Sequence, residues 1–176
     1  MESKKVTKFR WFWAWQDEAE EEWLKKMSQK GYHLASVGFP CTYTFSVAEP
    51  RNYVYRLDYQ TFRKKDRNEY LQLFLDAGWE HVGEMSAWQY FRKVAAAGET
   101  PEIFTDVESK IAKYKRVLAY VGFSYIILIV IFGGRMLTGS PYPWWDAVSV
   151  FFAFVLLLLA YAILKIAIRI KQLRKL

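Results

Sequence analysis

FRWFWAWQDEAEEEW, Phe9 to Trp23, sets five aromatic rings in seven residues ahead of five carboxylates in six. Phe9, Trp11, Trp13 and Trp15 alternate with other residues, the period-2 signature that predicts a strand with one ring-bearing face. Asp17 then reads as a helix N-cap, with Glu20 three residues on in a capping-box arrangement. The helix is expected to turn Ala19, Trp23, Leu24 and Met27 inward and to stop at Gly31, in the left-handed conformation usual for a terminating glycine. The acidic run Glu18 to Glu22 is expected to be a solvated helix start, where the helix dipole favours negative charge.

YHLASVG and TYTFSV follow, joined by the turn-forming Phe39-Pro40-Cys41. The same order then recurs. YVYRLDY, Tyr53 to Tyr59, alternates; Asp66 and Glu69 repeat the cap spacing; Tyr70, Leu71, Phe74 and Ala77 form an apolar helix face ended by Gly78; WEHVGE and AWQYFRKV supply two strands. The expected architecture is α+β, a duplicated β-α-β-β unit. It is either ferredoxin-like with an extra hairpin strand or a tandem strand-helix-strand-strand arrangement, with both helices on one face of one sheet.

The chain is 53% hydrophobic, and its net charge of +7 is unevenly placed. Met1 to Arg116 carries 19 basic and 17 acidic residues, whereas the remainder carries 6 and 1. Basicity thus accompanies the apolar part, which points to a membrane surface and not to nucleic acid. Val117 to Phe132 is uncharged and followed by Gly133-Gly134, and Ala147 to Leu164 is an uncharged, mostly apolar run. Each is long enough to cross the hydrocarbon core as a helix. The loop between them, GGRMLTGSPYPWWD, holds turn formers and the interfacial rings Tyr142, Trp144 and Trp145.

The spans therefore read as a hairpin. Lys110, Lys113, Lys115 and Arg116 precede it, and Lys165, Arg169, Lys171, Arg174 and Lys175 close it, while the loop offers only Arg135. The positive-inside rule places both termini in the cytoplasm. The expected layout is a cytoplasmic α+β domain over 1–97, a linker and juxtamembrane helix over 98–116, and a transmembrane hairpin with a basic tail over 117–176. Thr105 or Asp106 would cap a helix that starts near Val107 and runs into the bilayer unbroken. MESKKVTKFR lacks a long apolar segment, so no cleaved secretory signal is expected. A single cysteine, Cys41, precludes an internal disulfide.

The chemistry-bearing motifs are few. No Gly-rich phosphate loop, GxSxG, HExxH or paired-cysteine pattern occurs, so no catalytic residue, metal or cofactor is expected. His33 and His81 follow the two terminating glycines and could meet near Asp58 or Glu84 as metal ligands, but two histidines at unknown distance carry little. Cys41 in its turn lacks a nucleophile's local signature. The ring ladder is core packing first. Were one sheet face left uncovered, Trp11, Trp13, Tyr55, Arg56, Trp88 and Tyr90, with Arg92 nearby, would line a pocket for a flat or cationic ligand.

EEEWLKKM, GYHL, YVYRLDY, DAGWE, WQYFRK and EIFTDVESKIAKYKR resemble the bacterial domain-of-unknown-function family numbered 2812, over Lys8 to Arg116. The resemblance implies a cytoplasmic domain attached to membrane helices in the bacterial cell membrane, and a link to PadR-like transcription regulators. It carries no catalytic residues. The leading expectation is a non-enzymatic, membrane-anchored regulatory or adaptor protein whose cytoplasmic domain binds a protein partner. The alternative is a small-molecule sensor with an aromatic-lined pocket. Beyond the lipid bilayer and that partner no direct nucleic-acid contact is expected, and the Ser149/Ala153 step in the second span leaves a homo-oligomer open.

Overall fold

The computed structural model describes residues 4–62, 66–96, 99, 101–104, 107–138 and 145–175. They fall into two units, Met1–Asp106 and Val107–Leu176. The capping expectation at Thr105 and Asp106 and the loop rings Tyr142 and Trp144 lie outside the described residues.

The first unit is the duplicated β-α-β-β pattern. Its elements are β1 (Lys5–Phe9), α1 (Asp17–Ser28), β2 (Tyr32–Gly38), β3 (Thr42–Val47), β4 (Tyr53–Tyr59), α2 (Asp66–Asp76), β5 (Glu80–Met85) and β6 (Trp88–Val94). Of the two arrangements left open by the sequence, the tandem one is present. There are two three-stranded antiparallel sheets, ordered β1-β3-β2 and β4-β6-β5, and not one sheet. Each repeat places its third strand in the centre. The two glycines that end the helices are alike in backbone, Gly31 at φ +82° and Gly78 at φ +79°. Even the irregularities repeat: β2 bulges between Leu34 and Ser36, and β5 bulges between His81 and Gly83.

The strand expected across the tryptophans is much shorter. β1 ends at Phe9, and the chain from Arg10 to Gln16 is irregular. Arg10 N–H makes the last tie to the Cys41 carbonyl, at 3.1 Å. A tight turn follows, in which Trp13 N–H donates to Gln16 Oε1 and Gln16 N–H donates to Trp13 O. Gln16, not Asp17, is the N-cap of α1, and it makes no side-chain cap bond. Its side chain is engaged by the preceding turn instead.

The inward stripe of α1 also differs from the expected one. Ala19 is exposed, and Asp17, Glu20, Glu21, Leu24, Met27 and Ser28 are buried. Those positions recur at the helical spacing of three and four, so one continuous stripe faces the core. Its first two turns are acidic and its last two are largely apolar. The acidic start is thus only partly solvated, with Glu18 and Glu22 exposed and Asp17, Glu20 and Glu21 buried.

Leu24 and Met27 pack with Leu34, Tyr43 and Phe45 of the first repeat and with Tyr55, Leu57 and Tyr90 of the second, one core shared by both repeats. A second, smaller core of Val54, Phe74, Trp79 and Phe91 lies under α2, with Tyr70 and Leu71 at its margin. The second sheet is therefore filled on both faces. The outer face of the first sheet is polar, with Thr7 hydrogen-bonded to Thr44 across strands. Phe9, 65% exposed and opposite Thr42, is the one ring that β1 carries on that face.

Edge strands expose backbone groups that need partners. At the edge strand β2, Leu34 N–H donates to the Tyr55 hydroxyl at 3.3 Å, and Arg92 Nη1 donates to Leu34 O at 3.0 Å. At the edge strand β4, Leu57 N–H donates to Glu21 Oε1 at 2.8 Å. Side chains from the other repeat thus satisfy the backbone of Leu34 and the Leu57 N–H on these edges and tie the two sheets to each other.

The second unit consists of α3 (Val107–Thr138) and α4 (Trp145–Leu173). Both are long and apolar enough to cross a membrane, their apolar 18-residue stretches having mean hydropathies of 2.3 within Val107–Arg135 and 2.8 within Ala147–Leu173. α3 starts at Val107 and is unbroken. It does not end at Gly133-Gly134 as the sequence implied; both glycines are helical, with open space where a side chain would be. The two helices form a hairpin whose large apolar side chains, such as Phe123, Ile126, Phe154 and Leu157, point outward. Arg135 lies over the Trp145 ring at 5.2 Å.

Candidate functional site

The chain between β1 and α1 is irregular where the pairing of β1 with β3 has run out, since Phe9 already faces Thr42, the first residue of β3. Trp11 is 51% exposed and Trp13 37%. Phe12, the residue out of phase with the ladder, is the ring that packs inward against Trp23 and Tyr43. Trp13 stacks on Trp15 at 5.4 Å and an interplanar angle of 3°, and Trp11 meets Trp13 edge-on at 5.5 Å. Arg10 covers Phe12 and Trp23 at 5.1 and 5.2 Å. The rings thus form an ordered outer wall and not core.

Behind this wall is a cleft of about 180 Å³. Trp11, Phe12, Trp13 and Ala14 line one side, and the two equivalent hairpin turns line the other, Phe39-Pro40-Cys41 of the first repeat and Met85, Ser86 and Trp88 of the second. Each turn contains a residue of positive φ, Cys41 at 50° and Ser86 at 56°. Asp17, Glu20 and Tyr90 complete the lining. The duplication therefore makes the site: two copies of one turn converge on the N-terminal end of α1.

Glu20 is its chemical centre. Only 5% of the residue is exposed. Its Oε1 accepts the Tyr43 hydroxyl at 2.7 Å and the Tyr90 hydroxyl at 2.6 Å. Among the described residues no hydrogen bond reaches Oε2. Burial pushes the Glu20 carboxyl above its ordinary value of 4.5; the Tyr90 and Tyr43 hydroxyls offset part of this, and Asp17 adds to it. Burial, with Glu20 beside them, also pushes both phenols upward, so they stay protonated as donors. The position of Glu20 in the first turn of α1 gives it a favourable helix dipole as well.

Four of the six expected pocket residues meet here: Trp11, Trp13, Trp88 and Tyr90. Tyr55 and Arg56 do not. Tyr55 is buried in the shared core and holds β2, and Arg56 pairs with Glu21 at 3.2 Å and Glu102 at 2.9 Å. Arg92 grips Glu80 through two bonds of 2.6 and 2.8 Å and lies over Tyr53. His33 binds the Glu49 carbonyl and His81 binds Gln89, each within its own neighbourhood. Among the described residues no three His, Cys, Asp or Glu side chains gather as a metal site. Asp58 instead accepts the Tyr70 hydroxyl.

Of the expected membrane-flanking cations, Lys113 is buried, its ammonium 5.0 Å from the Tyr114 ring. Arg169 reaches the same ring at 6.0 Å, and Lys165 lies over Tyr161 at 5.4 Å. Lys115 and Lys171 line a groove between α3 and α4, and Arg116 is half-buried.

Sequence reasoning missed Asp17, Glu20 and the two turns. The signal for the first pair was present in the spacing Asp17, Glu20/Glu21, Leu24, Met27/Ser28, one stripe that a search for apolar residues alone passes over.

A family model described as "Protein of unknown function (DUF2812)" matches residues 16–126. No curated protein and no solved structure gives a match. The matched span holds Glu20, both hairpin turns, Trp88 and Tyr90, and begins after the Trp11–Trp13 wall.

Proposed function

The chain belongs to the DUF2812 family, and since that description names no activity, we propose a function from the chain's own geometry: a membrane-anchored, non-enzymatic regulatory protein whose α+β domain senses a small molecule. The observation that carries this is the cleft beneath Trp11 and Trp13, walled by rings and floored by the buried Glu20. Aromatic walls with a few placed polar groups are the lining of a ligand site, here in a cleft smaller than the roughly 300–1,000 Å³ of drug-sized pockets. A cleft of about 180 Å³ corresponds to about six waters at roughly 30 Å³ each, so the ligand is small.

That concavity moves the preferred reading from a protein-binding adaptor to a sensor. A protein partner then receives the signal, consistent with the PadR-like link the resemblance implies. The basic flanks of the two apolar helices support an orientation with both termini in the cytoplasm.

The test is a small-molecule screen read by intrinsic fluorescence on the full chain in a nonionic detergent. Saturable binding that Trp13→Leu and Trp88→Leu each weaken supports the sensor. No saturable ligand, together with a stoichiometric protein captured through the Trp11–Trp13 wall, would return the adaptor reading.

A further inference from the structure

The cleft's lining is one-sided in charge. Asp17 and Glu20 contribute carboxylates, and among its lining residues there is no Lys, Arg or His. Anions are therefore repelled, and a neutral ligand would leave the buried Glu20 without a counter-charge. Rings dominate the rest: Trp11, Phe12, Trp13, Phe39, Trp88 and Tyr90. Aromatic rings around a carboxylate form an environment that attracts positive charge, through ring quadrupoles and through direct Coulomb attraction in a partly desolvated space.

The two oxygens of Glu20 are unequal. Oε1 takes both tyrosine hydroxyls, and Oε2 has no hydrogen bond among the described residues. Oε2 is not among the fully buried atoms that lack a partner, so it is open to a charge-assisted hydrogen bond from a cationic donor in the cleft. A bare metal ion is a poor candidate. Hard divalent cations take six or more oxygens, and among the described residues no three acidic or His/Cys side chains gather.

From these observations we propose that the cleft binds a small organic cation, an alkylammonium or amidinium of about six to eight non-hydrogen atoms, with its charge at Glu20 Oε2 and its apolar substituents against the tryptophans. This deepens the sensor reading and rests on it. The hydroxyls of Tyr43 and Tyr90 hold the carboxylate in place, and Trp13, braced by Trp15, forms the outer wall.

The experiment uses the full chain in a maltoside detergent. Tetramethylammonium and choline are titrated against 3,3-dimethylbutan-1-ol, the uncharged isostere of choline, by tryptophan fluorescence and calorimetry. Choline is expected to saturate at least about tenfold more tightly than the alcohol, within the range for desolvated cation–ring contacts. Glu20→Gln should bring the two to similar, weak affinity. Trp13→Leu, at a half-exposed wall position, should weaken choline about 5- to 30-fold. Glu22→Gln, exposed on the same helix and paired with Lys26, should change nothing.

Equal affinity for choline and the alcohol would overturn the cation inference and leave the sensor reading standing. Choline binding that survives Glu20→Gln in a variant shown to be folded would also overturn it. Absence of binding by either cation and by the alcohol would count against the cleft as a ligand site and overturn both.

Discussion

Tyr43 and Tyr90 occupy equivalent places in the central strands of the two repeats and donate their hydroxyls to the same oxygen of Glu20, at 2.7 and 2.6 Å. The same spacing that relates these tyrosines relates Gly31 to Gly78 and Met27 to Phe74. By that register Arg67 stands where Glu20 would be, and it reaches Glu84 at an exposed site. The repeats are thus alike in strands and unlike in helices. α1 is held between the two sheets, while α2 covers only the second, and one carboxylate serves both tyrosines.

Tyr90→Phe and Tyr43→Phe should each destabilise the α+β domain by about 1–3 kcal/mol, the range for a hydrogen bond to a charged or buried acceptor. Because the two donors share one oxygen, the double variant should depart from the sum of the singles. Denaturant unfolding of the four proteins measures both quantities. Strict additivity would mean that the two bonds are independent and that Glu20 does not couple the repeats.

The pH dependence of stability should carry the mark of Glu20. Its folded pKa lies above the ordinary 4.5, so the folded state keeps the proton to higher pH than the unfolded chain does. Stability from this group is therefore full below about 4.5 and is lost as pH rises through the raised folded value. The titratable groups around it are Asp17, Cys41, Tyr43 and Tyr90, and the two phenols remain protonated throughout. Glu20→Gln removes the carboxyl's titration. The difference in Tm, variant minus parent, should become more positive as pH is raised from 4.5 to 8. A difference that is flat with pH would show that Glu20 does not titrate in this window.

Much of the fold is legible in the sequence because it rests on local signals. The alternation in YVYRLDY and the glycines at 31 and 78 place elements that agree closely with β4 and the two helix ends. The tryptophan ladder misleads because alternation reports a face and not a partner. β1 pairs with β3 only as far as Phe9, opposite Thr42, where β3 begins, so the rings beyond it have no strand to join. The acidic run misleads for a different reason. Glu20 and Glu21 are buried by donors that come from Tyr43, Tyr90, Arg56 and Leu57, all distant in sequence, and no local pattern announces them. The candidate site is made from those long-range contacts, which is why the sequence points to four of its rings, Trp11, Trp13, Trp88 and Tyr90, and not to its centre.

The two terminating glycines predict different tolerances. Both have positive φ, where a side chain costs about 1–2 kcal/mol. At Gly31 an added Cβ would also collide with the Ala48 carbonyl oxygen, a backbone atom. At Gly78 the nearest atoms are the end of the Lys93 side chain, at 3.4 Å, which can move aside. Gly31→Ala should therefore lose clearly more stability than Gly78→Ala, by about 1 kcal/mol or more on top of the shared strain. Thermal unfolding of the two variants compares them directly, and equal losses would contradict the close approach at Ala48.

The orientation proposed for the hairpin rests on helix length and charge together. α3 has 32 residues, about 48 Å at roughly 1.5 Å per residue, and the hydrocarbon core needs about 30 Å. Its excess length can therefore hold Lys110, Lys113, Lys115 and Arg116 outside the apolar layer, on the same side as the Lys171 end of α4. With Cys41 buried, single added cysteines report sidedness cleanly. An impermeant maleimide applied to intact cells should label Leu137→Cys, at the exposed far end of α3, and should label Lys5→Cys, on β1, only after the cells are opened. Labelling of Lys5→Cys in intact cells would reverse the topology and place the cleft outside the cytoplasm.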